Sequence, residues 1–161
     1  MGLTSLKLRV IDLWMYRGHK EPRRFREELK RGAELYEVVK GSGAVHIVDV
    51  RPVPSYVDAF LAGAVPFDGR LITVLTESAN GEAESAGEYV PAPLRKRWSV
   101  RLGLDGDALS DVPDASADLV VLDGPVETWY DEAWRVVRAG GVAVVDGRAW
   151  TIKSRAERSG I

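Results

Sequence analysis

Four acidic side chains of the sequence each lie at or just after the end of a short apolar run that has the composition of a buried strand. These residues are Asp49, Glu77, Asp107 and Asp123. The carboxyl ends of parallel strands meet at one edge of a sheet, and ligands of open α/β sheets bind there. Carboxylates at that edge accept hydrogen bonds from ribose hydroxyls, an adenine amino group or the ammonium of an amino-acid-like cofactor. The sequence therefore predicts a polar ligand site, and acidic residues that simply cap the following helices or turns are the alternative.

The sequence offers little material for other kinds of catalytic or metal site. It contains no cysteine and two histidines, His19 and His46, which are too few for a histidine-built metal site without heavy carboxylate help. Ser55, Ser78 and Ser110 lack the flanking glycines of a nucleophile elbow, and no phosphate-binding Gly-Lys loop is present. We therefore expect no metal site, and the sequence identifies no catalytic residue.

Length and composition indicate one ordinary globular domain that spans 1–161. Of its 161 residues, 45% are hydrophobic and 29% are charged, and the net charge of −2 provides no general attraction for nucleic acid. No apolar run approaches the roughly 20 residues that cross a bilayer, and the N-terminus lacks the features of a signal peptide. We expect a cytoplasmic protein that does not associate with membranes.

The elements that must position the carboxylates follow from the hydrophobic pattern. Short apolar runs predict strands at 5–15, 44–50, 71–75, 98–104, 118–123 and 142–145. Apolar residues at helical spacing predict helices at 21–40, 55–63 and 128–138. Strands that alternate with helices form βαβ units with parallel strands and right-handed crossovers. The prediction is an α/β fold, a three-layer Rossmann-like sandwich with a mainly parallel sheet.

The stretch 106–147 carries three motifs in a fixed order. Asp107-Ala108 follows the third of the five later strands, Asp-Leu-Val-Val stands at 118–121, and Arg-Ala-Gly-Gly at 138–141 precedes the last strand. In these motifs the chain resembles the second half of a class I S-adenosylmethionine-dependent methyltransferase. The resemblance extends upstream to about residue 21. It implies five parallel strands, S-adenosylmethionine as the cofactor and a methyl acceptor that the sequence does not identify.

The resemblance also implies a role for each residue along the strand ends. Asp49 takes the place of the acidic residue of the family's first motif, and Glu77 takes that of the carboxylate that binds the ribose. Asp107 and Ala108 take the places beside the adenine. Asp123 follows the fourth strand, where residues of this family often line the substrate site.

The loop after the first of these strands departs from the family pattern. Its Gly-x-Gly-x-Gly positions hold Arg51, Val53 and Ser55, and Pro52 and Pro54 stand between them. Glycines at such places permit positive φ and let the backbone approach the cofactor, whereas proline stiffens the loop and has no N–H to donate. Arg51 and Ser55 would therefore meet the amino-acid end of the cofactor with side chains. Arg51 could equally bind a carboxylate or phosphate of another ligand.

The C-terminal part of the sequence is shorter than the family pattern. Fourteen residues follow Gly147, too few for the family's last two strands and their helix. We expect the N-terminal strand predicted at 5–15 to fill the sheet edge beside the fifth parallel strand.

Positions 17–31, in and before the first predicted helix, hold seven basic and three acidic residues. This pattern favours a solvated helix with Glu–Arg and Glu–Lys pairs, and a phosphate-binding face is the alternative. Most basic residues are arginine, which together with the missing cysteine hints at a thermophilic source.

Three functions stay open on the sequence alone. The first is an active methyltransferase. The second is a catalytically inactive methyltransferase-fold module that no longer binds the cofactor and acts in binding or assembly, as a homodimer or with a protein partner. The third, favoured least, is a nucleic-acid-associated protein that uses the arginine-rich helix.

Overall fold

The computed structural model describes residues 1–17, 21–77, 85–103, 107–124, 127–145 and 147–151. Within these ranges the helices are α1 (Leu3–Arg17), α2 (Pro22–Ser42), α3 (Val57–Ala64) and α4 (Tyr130–Val136). The strands are β1 (His46–Arg51), β2 (Arg70–Leu75), β3 (Trp98–Leu102), β4 (Ala117–Leu122), β5 (Val137–Val145) and β6 (Arg148–Thr151). Short 3₁₀ turns lie at Ala86–Tyr89, Ala92–Arg97 and Glu127–Trp129. No helix in these ranges has the length and apolar character that crossing a membrane requires.

The strands form one sheet in the order β3-β2-β1-β4-β5-β6. Strands β1 to β5 pair in parallel, and β6 runs antiparallel to β5. The chain proceeds outward from β1 to β3 and then returns to β4 on the other side of β1, so the strand order reverses between β1 and β4. Ligands of such sheets bind at the carboxyl edge beside this reversal. The predicted α/β fold with five parallel strands is confirmed.

Both faces of the sheet are covered, which produces the three layers. Ile47 and Leu119 belong to the core that the sheet forms with α1, α2 and α3. Val48 and Val120 belong to the core on the opposite face, which α4 and the irregular segment 107–113 complete. Successive side chains of a strand point to opposite faces, so strands covered on both sides have continuous apolar sequences. This explains why the central strands were recognisable in the sequence.

The N-terminal edge strand predicted at 5–15 is wrong, because the chain forms helix α1 there. Leu6 and Val10, one helical turn apart, are both fully buried, and Leu6 packs against α3. Trp14 continues this face and stacks on Phe25 of α2, with ring centroids 4.4 Å apart. The sheet edge beside β5 is filled by β6 instead.

Two helix ends also differ from the prediction. Helix α2 continues to Ser42 and ends at Gly43, which adopts a left-handed φ of 69° and donates its N–H to the Val39 carbonyl. Helix α4 ends at Val136, and the glycine pair at 140–141 lies inside β5 rather than at the helix end. Strand β5 begins as early as Val137 because its backbone already pairs with β4 there.

Replacing Leu6 by alanine tests the helical assignment of the N-terminal segment. We expect Leu6→Ala to lower the free energy of unfolding by about 2–5 kcal/mol, because it removes a fully buried side chain from the core. Leu8→Ala is the matched control, since Leu8 is 59% exposed in α1 and its loss should have little effect on stability. In an edge strand Leu6 and Leu8 would share one face. Equal losses of stability in urea unfolding would therefore contradict the helix.

Candidate functional site

A buried ion pair lies where β1 ends at the carboxyl edge of the sheet. The Arg51 side chain folds back onto Asp49, two residues earlier in the same strand. Its Nε and Nη2 donate to the two carboxylate oxygens of Asp49 at 2.5 Å and 3.0 Å. Arg51 is 4% exposed and Asp49 is fully buried. Such two-point pairing is the strongest geometry available to an arginine and a carboxylate.

A second buried carboxyl group, Asp58 in the first turn of α3, joins this pair. Its Oδ1 lies 3.9 Å from Arg51 Nε, and its side chain is hydrogen-bonded to Asp49. Thr73 of β2 donates its hydroxyl to Asp58 at 2.9 Å, and the indole N–H of Trp98 in β3 donates to Thr73 at 2.9 Å. The cluster therefore connects β1, α3, β2 and β3.

Burial and neighbouring charges shift the pKa values of Asp58 and Arg51. Burial raises the pKa of Asp58 well above its ordinary value, and the neighbouring Asp49 raises it further, while Arg51 and the Thr73 hydrogen bond act in the opposite direction. Burial disfavours the charged guanidinium of Arg51, but Asp49 and Asp58 outweigh this and raise its pKa. The raised pKa keeps Asp58 uncharged to a higher pH than is usual for a carboxyl group, which limits the negative charge buried beside the Arg51–Asp49 pair.

The rim of the site brings in residues that follow β4 and β2. The Asp123 backbone N–H donates to the Val50 carbonyl at 2.9 Å, and its carboxylate lies 3.5 Å from Arg51 Nη1. The Glu77 backbone N–H donates to the Pro52 carbonyl at 3.0 Å, which holds the end of β2 against the loop after β1.

A cavity of about 420 Å³ opens between the N-terminal half of α2 and the ends of β1 and β4. Basic, acidic and neutral polar side chains line it, among them Arg24, Glu28, Arg31, Arg51, Ser55 and Asp123. The Ser55 hydroxyl accepts the Val57 N–H at 3.1 Å and is hydrogen-bonded to Glu28. Burial raises the pKa of Glu28, which the Ser55 hydrogen bond and the Arg24 charge partly offset. Pro52, Val53 and Val57 also line the cavity, so it suits a ligand that combines apolar surface with polar donors and acceptors.

The structure brings part of the predicted site into one cluster and spreads the rest along the same edge. Arg51 contacts both Asp49 and Asp123, and Ser55 lines the same cavity. The exposed Glu77 follows β2, and the exposed Asp107 with the half-buried Ala108 lies beyond β3. Glu77 and the Asp107–Ala108 pair therefore follow two neighbouring strands, β2 and β3, on one side of β1. Within the described ranges, no group of His, Asp and Glu side chains has the arrangement of a metal site.

Sequence reasoning missed the residues behind the loop. These are Glu28, Asp58, Thr73 and Trp98. The one available signal was Asp58, a lone acid in the otherwise apolar helix sequence VDAFLAGA. The charged face of α2 carries the ion pairs that its sequence predicts, including Arg23 with Glu27 at 3.5 Å.

Three solved structures that are similar to this chain are described as O-methyltransferases. An O-methyltransferase from Klebsiella pneumoniae, described as putative, shares 22% identity at a TM-score of 0.66, over 87% of this chain and 64% of that chain. TomG from Streptomyces achromogenes, in complex with SAM, shares 22% identity at a TM-score of 0.64, over 87% and 64% of the two chains. An O-methyltransferase from Bacillus cereus, in complex with SAH, shares 21% identity at a TM-score of 0.64, over 88% of this chain and 65% of that chain.

These likenesses establish the fold. The chain shares the Rossmann-like α/β fold of these structures, as its sequence predicted. It spans less than two thirds of the length of these structures. No protein-family model matches the chain, and no curated protein sequence does.

Removing the guanidinium of Arg51 tests the importance of the buried pair. We expect Arg51→Met to lower the free energy of unfolding at neutral pH by about 3–5 kcal/mol, because Asp49 would keep a buried charge without its cation. The control is Arg23→Met, which removes a pair whose arginine side chain is 91% exposed and should leave stability unchanged. Urea unfolding of both variants measures the difference, and equal stability of the two would contradict the role of Arg51.

The raised pKa of Asp58 predicts a pH-dependent stability difference between the wild type and Asp58→Asn. The ordinary pKa of an aspartate carboxyl group is 3.8. Between pH 3.8 and the pH at which Asp58 ionises in the folded protein, the folded state binds more protons than the unfolded state. The free energy of unfolding therefore falls as the pH rises through this interval. Asparagine can keep the hydrogen bonds to Thr73 and Asp49 without ionising. We expect the stability of Asp58→Asn relative to the wild type to increase from pH 4 upward in urea titrations. A difference that does not vary with pH would refute the raised pKa.

Proposed function

We propose that this chain is an S-adenosylmethionine-dependent methyltransferase-like domain that binds the cofactor across the carboxyl ends of β1, β2 and β3. The observation that carries the proposal is the placement of Glu77 and Asp107. Both carboxylates are exposed beyond the ends of neighbouring strands, in a fold whose solved examples include complexes with SAM and SAH.

The nucleoside end of the cofactor fits the residues present. Glu77 would accept hydrogen bonds from the ribose hydroxyls, and Asp107 from the adenine amino group, since neither carboxylate forms an ion pair within the described part of the chain. Ala108 offers a small side chain beside the base. S-adenosylmethionine, when bound, supplies an electrophilic methyl group, and the protein's part is to hold donor and acceptor in line.

The methyl acceptor would enter from the side of the cavity under α2. Asp123 lies on that wall together with Arg24 and Arg31. The mixture of charges favours a polar acceptor, and no residue there is assigned a chemical step.

The amino-acid end of the cofactor fits less well. Both carboxylate oxygens of Asp49 already accept hydrogen bonds from Arg51, and Pro52 and Pro54 have no N–H groups to donate. This mismatch supports a second candidate, a binding or assembly module that has kept the fold without the chemistry. Fold likeness alone does not establish activity.

Ligand binding to the whole chain distinguishes the two candidates. Calorimetry and thermal unfolding with S-adenosylmethionine and S-adenosylhomocysteine should show binding. A ligand at 100 times its dissociation constant stabilises the folded state by about 2.7 kcal/mol. No heat of binding and no shift in Tm at millimolar concentrations of either ligand would reject the methyltransferase proposal in favour of the module.

The proposed contact to the ribose predicts the effect of Glu77→Gln. We expect this variant to bind S-adenosylhomocysteine about tenfold more weakly, because the hydroxyls lose a charged acceptor. Glu37→Gln is the matched control, since Glu37 is exposed near the end of α2 that precedes β1, at the opposite edge of the sheet. Calorimetric dissociation constants that are equal for the two variants would remove Glu77 from the site.

A further inference from the structure

The Arg51–Asp49 pair has a consequence for the kind of ligand this edge can recognise. A ligand ammonium group needs an anionic or strongly polar acceptor that is free to receive its protons. Asp49 stands at the end of β1 in a position to provide one, but its two oxygens are occupied by Arg51 at 2.5 Å and 3.0 Å and the residue is fully buried. An ammonium group would have to displace a guanidinium from this carboxylate.

Other carboxyl groups near the loop are also engaged. Asp123 lies 3.5 Å from Arg51 Nη1, so an ammonium beside Asp123 would meet a cation. Asp58 is buried, and its raised pKa favours the uncharged form. Glu28 is hydrogen-bonded to Ser55 and lies 3.7 Å from Arg24, and Glu27 lies 3.5 Å from Arg23. Each of these groups already has a hydrogen-bond or cationic partner.

The amino-acid carboxylate of a ligand would find few donors in the loop. Pro52 and Pro54 have no N–H, and the Arg51 guanidinium is directed toward Asp49, Asp58 and Asp123. At the other end of the edge, Glu77 and Asp107 are exposed and form no ion pair within the described part of the chain. Among the described residues, the ends of β2 and β3 therefore offer Glu77 and Asp107 to a ribose and a base, whereas the loop after β1 offers few groups to an amino-acid tail.

We propose that this site recognises an adenine nucleoside by its ribose and base and is indifferent to the amino-acid group. The ligand class is 5′-thioether adenine nucleosides, with or without the amino-acid tail. The inference rests on the proposed function, because it assigns the nucleoside to Glu77 and Asp107. Arg51 acts as an internal substitute for the ligand ammonium and thereby removes the selectivity for the tail.

The test compares two ligands that differ only in this respect. The full chain is titrated calorimetrically with S-adenosylhomocysteine and with 5′-methylthioadenosine, which has the same nucleoside and a methyl group in place of the amino-acid chain. We expect dissociation constants within about threefold of each other. A larger preference for S-adenosylhomocysteine would overturn this inference and leave the proposed function standing. Failure of both ligands to bind at millimolar concentration would overturn both.

A variant at Arg51 tests why binding would not depend on the amino-acid group of the ligand. Arg51→Gly frees the Asp49 carboxylate, and we expect it to prefer S-adenosylhomocysteine over 5′-methylthioadenosine by about tenfold or more. The double variant Arg51→Gly with Asp49→Asn opens the same space without the charge and should show no such preference. Arg138→Gly is the matched control, since it removes an arginine paired with Asp118 at 2.7 Å near the opposite edge of the sheet.

Circular dichroism establishes that each variant is folded before titration. A folded Arg51→Gly protein without the new preference would overturn the role given to Arg51. If that variant does not fold, the comparison of the two ligands on the wild-type chain still decides the proposal.

Discussion

The guanidinium of Arg51 is the centre on which the carboxyl edge of the sheet is organised. It holds Asp49 at two points, lies near Asp58 and reaches Asp123 at the rim. Removing a charge from water is costly, and a buried ion pair is stable only when its hydrogen bonds are satisfied. The cluster meets this condition because Thr73 donates to Asp58 and Trp98 donates to Thr73. The loop after β1 is thereby connected through side chains to α3, β2, β3 and the end of β4.

The loop at 51–56 contains no glycine, and the fold is held by other parts of the structure. The sheet is held together by its strand pairs and by the apolar cores on its two faces, which do not involve the loop backbone. The loop itself is held by the Thr76 and Glu77 N–H groups, which donate to the carbonyls of Arg51 and Pro52. These two backbone hydrogen bonds join the loop to the end of β2.

The N-terminal segment shows the limit of reading an element from a short apolar run. The sequence SLKLRVIDLWM contains both alternating and helical spacing of apolar residues, and periodicity alone does not separate them. Packing decides the outcome, because Leu6 and Val10 are buried together when the segment is helical and Leu6 then fits against α3. The edge of β5 that the segment was predicted to cover pairs with β6 instead.

The sequence by itself determined the five parallel strands, the helices between them and the carboxyl groups at the strand ends. These features depend on local patterns: the composition of buried strands, the helical spacing of apolar residues and the polar residues that follow each strand. Only the tertiary structure decided that the Asp49 carboxylate is occupied by Arg51 and that Asp58, Thr73 and Trp98 stand behind it. Burial and hydrogen-bond partners depend on which distant segments pack together, and no spacing along the chain encodes them.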